Sequence, residues 1–251
     1  MAGNPPLLTI IVPTYQALED LRDCINSIIQ ILGTTLGDTV QVRVQDGQSA
    51  DGTVEYIHAL AHPGICVISE PDEGIYDAMN KAVRDAPTPW VYFLGADDRL
   101  LPGFLQMLPQ LQDLSSIYYG NVLLTSNKRS YDGKFTAAKL VYRNICHQAI
   151  FYPRSLLTAQ PYSDRYPLKA DWAANITLMS QHPFRYLSHT VALYNNEDGL
   201  SRNQQDRAFD EDKNQMFRSA FGTAYFLMSA TAPLATRLYH FITGKKGAPK
   251  S

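Results

Sequence analysis

The first hundred residues alternate between short apolar runs and amphipathic segments. The run "LLTIIVP" ends at Pro13 and predicts a buried strand, since proline stops the hydrogen-bonded ladder. In "LEDLRDCINSIIQIL" the apolar residues recur every three or four positions, which predicts an amphipathic helix. "VQVRVQDG" alternates valine with polar residues and predicts a second strand that turns at Asp46 and Gly47.

The same alternation continues to residue 100. "TVEYIHAL" and "YDAMNKAVRDA" predict helices, the second ended by the prolines at positions 87 and 89. "ICVISE" and "WVYFLGADD" predict strands. Four strands separated by three helices predict an α/β fold, with a mostly parallel sheet and helices on its faces.

The second half of the chain has a less regular pattern. "SSIYYGNVLL" and "FRYLSHTVALYNN" predict strands, "LKADWAANITLMSQ" a helix, and "NICHQAIFYPRSLL" a strand or turn leading into a helix. Residues 219–236 carry no charge, but they include Gly222, Pro233 and several Ser and Thr residues. We therefore expect one or two amphipathic helices there, because a membrane-spanning helix needs about 20 predominantly apolar residues.

Composition narrows the class of protein. The chain has 251 residues, enough for one large α/β domain or two small ones. Its net charge of -2 gives no electrostatic case for a nucleic-acid partner. Cys24, Cys66 and Cys146 are widely spaced, which favours reduced thiols in a reducing compartment. The N-terminus lacks a basic segment before its apolar run, so we expect no signal peptide and a cytoplasmic protein.

Polar and acidic residues follow each of the four predicted strands. In sheets of this kind, ligands bind beyond the carboxyl ends of the strands. The residues that follow the strands are Pro13–Tyr15, Asp46–Asp51, Glu70–Gly74 and Gly95–Asp98. The sequence therefore predicts a polar site along this edge.

Two of these clusters have more than one interpretation. Asp97 and Asp98 could hold Mg²⁺ or Mn²⁺ together with a diphosphate, because hard cations take carboxylate and phosphate oxygens. Alternatively they form a solvated turn in which Asp98 caps the helix "RLLPGFLQML". Asp46 could accept hydrogen bonds from a base or ribose, or Asp46–Gly47 could simply form a turn.

Taken together, the stretches resemble a known family. "IIVPTYQALEDLRDCINSI", "VQDGQSADGT", "SEPDEGIYDAMNKAV" and "FLGADD" have the order and spacing of family 2 glycosyltransferases of the GT-A fold. "NICHQAIFYPRSLL" and "YPLKADWAANITLM" extend the resemblance to about residues 7–205, and the chain looks similar to enzymes of bacterial exopolysaccharide synthesis, such as that of colanic acid. This implies a GT-A fold with a Rossmann-like, mostly parallel sheet flanked by helices.

The resemblance also implies a domain organisation and a donor site. Residues 1–212 would form the catalytic domain, with a nucleotide-sugar half (1–100) and an acceptor half (101–212), and 213–251 an amphipathic helical tail. The residues that it implies for binding the nucleotide-diphosphate sugar are Pro13, Thr14, Tyr15, Asp46, Gly47, Asp77, Asn80, Lys81, Ala96 and Asp97. Within this set, Asp46 would contact the base, Asp97 the ribose, and Asn80 with Lys81 the diphosphate side.

The catalytic roles come from the resemblance too. Asp171 matches the catalytic base, Asp98 would hold Mn²⁺ or Mg²⁺, and His147 with Gln148 would lie on the acceptor or leaving-group side. A base that activates an acceptor hydroxyl for one displacement implies inversion at the anomeric carbon. Without the resemblance, Asp171 would be interpreted as a surface acid paired with Lys169 or Arg165, and His147 as a satisfied, partly buried histidine.

The chain departs from the family pattern at informative positions. The usual D-x-D has become Ala96-Asp97-Asp98, with one carboxylate fewer, which leaves Asp98 as the expected metal ligand. "QQDRA" at residues 204–208 ends in Ala208 where processive synthases have tryptophan, which favours transfer of a single sugar. Two alternatives remain, a non-catalytic nucleotide-sugar-binding protein and a nucleotidyltransferase; the second would need a glycine-rich basic loop that "VPTYQALED" lacks.

The tail suggests a further partner. Its apolar residues lie between basic ones, among them Arg218, Arg237, Lys245, Lys246 and Lys250. Such flanks suit the anionic inner face of the plasma membrane, so we expect peripheral attachment and an acceptor saccharide that is lipid-linked, for example to a polyprenyl carrier. The alternative is a tail that packs on the catalytic domain or on a second subunit.

Overall fold

The computed structural model describes residues 5–197 and 205–243, with side chains described up to residue 233. The elements of its first half are β1 (Leu8–Thr14), α1 (Leu18–Leu32), β2 (Val40–Asp46), α2 (Thr53–Leu60), β3 (Ile65–Ser69), α3 (Ile75–Asp85) and β4 (Trp90–Phe93). This order confirms the alternation that the hydrophobic pattern predicts. Every residue of β1 and of β4 is buried, as continuous apolar runs in a parallel sheet require.

The second half adds mixed strands and most of the shorter helices. In chain order these are β5 (Arg99–Leu100), α4 (Gly103–Met107), β6 (Ile117–Leu124), β7 (Ser130–Tyr131), α5 (Ala137–Tyr142), β8 (Ile150–Pro153), α6 (Arg154–Ala159), α7 (Ala170–Gln181), β9 (Phe184–Tyr194), α8 (Arg207–Phe221) and α9 (Thr223–Thr243). The segments predicted as strands and helices from their sequence pattern all appear with the expected type.

The described strands form one sheet in the order β3-β2-β1-β4-β8-β6-β9-β5, with β7 paired to β6. β3, β2, β1 and β4 are parallel, whereas β8 runs antiparallel to both β4 and β6. The chain builds outward from β1 to β3 and then crosses back to β4 on the other side of β1. The strand order therefore reverses at β1, which is where a ligand crevice is expected at the carboxyl edge of such a sheet.

Close backbone contact brings the end of β9 toward this crevice. β9 runs parallel to β6, and its register shifts near Gly120. A Cβ atom at Gly120 would lie 2.5 Å from the carbonyl oxygen of His189, so only glycine fits at this point of β6. The residues that follow β9, beginning at Asn195, reach the loop after β4 as a result.

The tail packs on the domain in its described part. Phe209 and Phe217 of α8 are fully buried, and the Phe209 ring lies 5.2 Å from the Trp172 ring of α7 between centroids. The predicted boundary after residue 212 falls inside α8. The one or two helices expected over residues 219–236 correspond mainly to α9, and Gly222 lies between α8 and α9.

A buried carboxylate ties α8 to the segment before α7. Asp206 is 2% exposed and accepts a hydrogen bond from the backbone N–H of Phe209, which caps α8. Its other oxygen accepts from the backbone N–H groups of Leu168 and Lys169 at 3.0 and 3.1 Å. One side chain therefore fixes both the start of α8 and the approach to α7.

None of the helices in the described part of the chain has the length and hydropathy needed to cross a bilayer. Leu227 on α9 is 58% exposed. The basic positions Lys245, Lys246 and Lys250, the side chain of Arg237 and the start of "QQDRA" lie outside the described residues.

Candidate active site

The ends of β1 and β2 form a buried polar corner. Asp46 is fully buried, and its Oδ2 accepts from the Ser69 hydroxyl at 2.6 Å and the Ser49 backbone N–H at 3.0 Å. Among the described residues, neither Asp46 Oδ1 nor the Thr14 hydroxyl has a hydrogen-bond partner. Buried polar atoms are normally hydrogen-bonded, so this corner has unused capacity for a polar ligand. Tyr15, next to Thr14, is 66% exposed.

The turn "EPDEG" before α3 lies against this corner. A Cβ atom at Gly47 would lie 2.5 Å from Asp72 Oδ2 and 3.3 Å from the Tyr15 ring, so glycine permits the close approach. Asp72 itself accepts from the Gly74 backbone N–H at 2.9 Å. Gly74 has a φ of 124°, a conformation that side-chain-bearing residues rarely adopt.

Asp77 and Lys81 brace the same turn. The Lys81 ammonium donates to Asp77 Oδ2 at 2.7 Å and to the carbonyl of Pro71 at 2.7 Å, while Asp77 also accepts from the Glu73 N–H. The hydrogen bond from Lys81 lowers the pKa of Asp77, and Asp77 in turn raises the pKa of Lys81. Both side chains, predicted on the donor side, therefore hold the turn closed in this structure.

Asn80 joins the two halves of the domain. Its side-chain amide donates to the Tyr162 carbonyl at 2.8 Å and accepts from the Tyr162 backbone N–H at 2.9 Å. This two-way pairing occupies the amide, which faces the segment before α7. The role of Asn80 on the diphosphate side stays a prediction.

The loop after β4 buries one carboxylate and leaves the other partly exposed. Asp98 is fully buried; its Oδ2 accepts from the Gly95 N–H and the Gln148 amide, and its Oδ1 accepts from the Asn195 N–H. Burial, with the nearby charge of Asp97, raises the pKa of Asp98 to about 7, against the lowering effect of these donors. Asp98 does not cap the following helix, since the residue before α4 is Pro102 and has no side-chain cap.

These contacts argue against the prediction that Asp98 is the metal ligand. Within the chain it is fully enclosed and accepts three hydrogen bonds, whereas a hard cation needs a free carboxylate oxygen. Asp97 is the partly exposed carboxylate of this loop, and burial raises its pKa as well. Ala96 between the strand and this pair is buried.

The described residues contain no group of three or more His, Cys, Asp or Glu side chains that could form a ready-made metal cage. Mg²⁺ in phosphate-binding enzymes is held by one or two carboxylates together with the substrate's phosphates. A single, partly exposed carboxylate at Asp97 fits that kind of site better than Asp98, which is buried and accepts three hydrogen bonds.

Asp171 lies at the start of α7 and is only 9% exposed. Its Oδ1 accepts from the Tyr76 hydroxyl and the Trp172 N–H, each at 2.8 Å, and its Oδ2 accepts from the Asn144 amide at 2.7 Å. His147 Nδ1 lies 3.7 Å from Oδ2. The structure thus brings Asp171 and His147 together.

The surface-acid interpretation of Asp171 is wrong. Lys169 pairs with Asp210 at 3.0 Å and Arg165 pairs with Asp212 at 2.7 Å, both on α8. Asp171 points inward instead, into a hydrogen-bonded pocket. Gln148, predicted beside His147, contacts Asp98 and so lies on the strand side of the site.

Three residues at this site carry no assignment from the sequence. Tyr76 lies inside the stretch "SEPDEGIYDAMNKAV" and Asn144 inside "NICHQ", both without a role, and Asn195 follows β9. A signal for Asn144 exists, because it is the polar residue three positions before His147. Tyr76 and Asn195 contact their partners across 95 and 97 positions of sequence, which no local pattern reports.

Solved structures with this architecture are known. Staphylococcus aureus TarS (residues 1–349), in complex with UDP-GlcNAc, superimposes with a TM-score of 0.73 at 16% identity, covering 94% of this chain and 73% of that one. The mannosyltransferase PcManGT of Pyrobaculum calidifontis, in complex with GDP-Man and Mn²⁺, gives a TM-score of 0.63 at 16% identity, covering 97% and 76%. The protein therefore has the fold of the GT-A glycosyltransferases, as predicted.

Sequence comparison specifies the family. The family model described as "Glycosyl transferase family 2" matches residues 9–159. A PGL/p-HBAD biosynthesis glycosyltransferase of Mycobacterium tuberculosis is 37% identical over 216 residues, covering 81% of this chain and 82% of the relative. The chain belongs to glycosyl transferase family 2 and is a glycosyltransferase, which confirms that prediction. The narrower likeness to exopolysaccharide enzymes stays a prediction.

Proposed function

We propose that the protein transfers one sugar from a nucleotide-diphosphate sugar to a hydroxyl of a saccharide acceptor, with inversion at the anomeric carbon. The observation that carries this proposal is the Asp171 carboxylate, held by hydrogen-bond donors at the start of α7 beside His147. In this step Asp171 takes the proton of the acceptor hydroxyl. The acceptor oxygen bonds to the anomeric carbon as the bond to the diphosphate oxygen breaks, and the diphosphate leaves as an anion.

The donor site is proposed at the carboxyl edge of β1 and β2. The unpartnered Oδ1 of Asp46 and the unpartnered hydroxyl of Thr14 would take hydrogen bonds from the base and ribose. Pro13, Tyr15 and Gly47 would form the walls of this pocket. The two neighbouring structures with UDP-GlcNAc and GDP-Man support a nucleotide-sugar as the ligand of this fold.

A divalent cation, Mn²⁺ or Mg²⁺, belongs to the same proposal. Asp97 is the residue proposed to hold it, together with oxygens of the diphosphate, and Asp98 positions the loop. When bound, the cation would stabilise the negative charge of the departing diphosphate. The Mn²⁺ in the complex of PcManGT supports a divalent cation as a ligand of this fold.

The remaining predicted residues receive positioning roles. Asp77 and Lys81 would keep the "EPDEG" turn in the shape that borders the nucleotide, and Asn80 would hold α3 against the acceptor half through Tyr162. His147, half-buried beside Asp171, would face the acceptor, and Gln148 would steady Asp98.

A panel of UDP- and GDP-sugars, with and without Mn²⁺, tests the proposed function. The expected result is release of nucleoside diphosphate that depends on a saccharide acceptor and on one or two donors of the panel. Product analysis by NMR should show the anomeric configuration opposite to that of the donor. Binding of a donor with no transfer to any acceptor would favour the alternative, a non-catalytic nucleotide-sugar-binding protein.

Asp46→Asn is expected to weaken nucleoside-diphosphate binding about tenfold or more, because a base N–H would lose a charged acceptor, a bond of about 1.5–3 kcal/mol. Isothermal titration calorimetry with UDP and GDP measures this. Asp38→Asn removes the same charge from the loop before β2 and should leave binding unchanged. Equal affinity of Asp46→Asn and the wild type would show that the unpartnered Oδ1 does not contact the nucleotide.

We also propose that the protein acts at the cytoplasmic face of a membrane, where a lipid-linked acceptor would be found. The supporting features are the exposed Leu227 on α9 and the basic residues that follow it in the sequence. α8 packs on α7 through Phe209, which is fully buried. We therefore propose that the tail contacts lipid only after α8.

Replacing Lys245, Lys246 and Lys250 with alanine in the full chain should weaken binding to anionic vesicles by roughly 100-fold, at about 1 kcal/mol per basic residue. Co-sedimentation with vesicles of phosphatidylglycerol and phosphatidylcholine measures it, with pure phosphatidylcholine as the reference. Alanine at the exposed Lys128, Arg129 and Lys134 removes the same charge elsewhere and serves as the control. If the wild type stays in the supernatant with anionic vesicles, the membrane proposal fails.

A further inference from the structure

Tyr76 connects the "EPDEG" turn, which is proposed to border the nucleotide, to Asp171, the proposed base. Tyr76 is the second residue of α3 and is 8% exposed. Its hydroxyl lies 2.8 Å from Asp171 Oδ1 and 3.1 Å from the carbonyl oxygen of Leu168. Burial first, and the charge of Asp171 second, raise the pKa of Tyr76 well above its usual value, so the hydroxyl keeps its proton and remains a donor.

The opposite oxygen of Asp171 is held by a directed chain of hydrogen bonds. Tyr152 donates its hydroxyl to Asn175 Oδ1 at 2.8 Å, and Asn175 Nδ2 donates to Asn144 Oδ1 at 2.9 Å. Because that oxygen accepts, the Nδ2 of Asn144 faces Asp171 and donates to its Oδ2 at 2.7 Å. Every step of the chain points its donor toward Asp171, and such chains polarise one another.

The start of α3, which carries Tyr76, lies beside the polar corner at Asp46 that is proposed to bind the nucleotide. The turn before α3 touches Gly47 through Asp72, and Gly47 directly follows Asp46. Tyr76 is only two residues beyond Gly74, where the turn becomes helix. If a bound sugar donor displaced this turn, the first turn of α3 would move with it. The Tyr76 hydroxyl, which donates to Asp171, would then shift as well.

We propose that Tyr76 and Asn144 are positioning residues, which hydrogen-bond the two oxygens of the Asp171 carboxylate from opposite sides. Tyr76 also couples the position of the "EPDEG" turn to the orientation of this carboxylate. The proposal rests on the proposed function, since it takes Asp171 as the acceptor of the substrate proton. With both oxygens held by donors, the plane of the carboxylate is fixed. The direction from which an acceptor hydroxyl can present its proton is fixed with it.

Tyr76→Phe removes only the hydroxyl, and it should lower kcat about 10- to 100-fold, the cost of a small misplacement of a catalytic group. The KM for the donor and the affinity for nucleoside diphosphate should stay at wild-type values. A role in folding alone would lower thermal stability and leave the kcat of the folded enzyme unchanged.

Asn144→Ala provides a second variant on the other oxygen. It should lower kcat to a similar degree, and the double variant should lose less than the product of the two single losses, because both act on one carboxylate. Tyr119→Phe is the matched control: Tyr119 is also buried, and its hydroxyl accepts from the Phe135 N–H instead. Its kcat should match that of the wild type.

The outcomes separate the inference from the proposed function. If the wild type transfers sugar and Tyr76→Phe keeps the wild-type kcat, the positioning role is overturned while the proposed function stands. A loss in Tyr76→Phe that appears wholly as weaker donor binding also overturns it, since Tyr76 would then only shape the donor pocket. A wild type without transfer on the whole donor panel overturns the proposed function, and this inference with it.

Discussion

Asp171→Asn is expected to reduce sugar transfer by about 10²- to 10⁴-fold, the usual contribution of a general base, while nucleoside-diphosphate binding is retained. A carboxamide cannot take the proton of the acceptor hydroxyl. In addition, the Tyr76, Trp172 and Asn144 donors face two carboxylate oxygens in the wild type, and the amide would offer them one. Steady-state kinetics gives the first quantity and calorimetry the second.

Asp210→Asn is the matched control for this variant. Asp210 is an exposed carboxylate on α8 that pairs with Lys169, two residues before Asp171. Removing its charge should leave the rate of transfer unchanged, because exposed ion pairs contribute little. Transfer by Asp171→Asn at near wild-type rate would rule out Asp171 as the base and would make His147 the next candidate.

Asp97→Asn is expected to lower transfer by roughly 100-fold or more at a fixed Mn²⁺ concentration, since stabilising the departing diphosphate is worth several kcal/mol and about 1.4 kcal/mol corresponds to a factor of ten. The Mn²⁺ concentration for half-maximal activity should rise as well. The melting temperature should change little, because Asp97 is partly exposed. A metal titration of activity, paired with thermal denaturation, measures all three.

Asp98→Asn distinguishes the two neighbouring carboxylates. Asp98 accepts from three donors, and an amide has one oxygen to offer, so at least one buried N–H would lose its acceptor at a cost of about 1–3 kcal/mol in the free energy of unfolding. The main effect should thus be lower thermal stability. If Asp98→Asn instead loses its Mn²⁺ response with an unchanged melting temperature, then Asp98, as first predicted, is the cation ligand.

The hydrophobic pattern predicts the fold well because each signal acts locally. The apolar run of β1 predicts burial on both faces, and the alternating valines of β2 predict one apolar face. The two strands pair in register from Leu8–Val40 to Thr14–Asp46. The rule that parallel strands present their carboxyl ends together then brings Thr14 beside Asp46 without any knowledge of the three-dimensional structure. The order of the second half follows less directly, since β8 runs antiparallel to both β4 and β6.

The site is less predictable, because side-chain direction depends on distant partners. Asp97 and Asp98 are identical in type and adjacent, and which one turns inward is decided by Gln148 and Asn195. Asn80 has the expected position on α3, but its amide pairs with Tyr162 in the other half. Periodicity places such residues on an element and cannot specify a partner 80 or more positions away.

The hydrogen bonds of Asp206 to α8 and to the segment before α7 determine where chimeric enzymes can be joined. Since one oxygen caps α8 and the other holds Leu168 and Lys169, a crossover placed before Asp206 would exchange the support of α7 along with the tail. Gly222, between α8 and α9, is the better junction, because it follows the last fully buried aromatic of α8. Tails from related enzymes grafted there would keep the native contacts between α8 and the segment before α7, and vary only the chain from α9 onward.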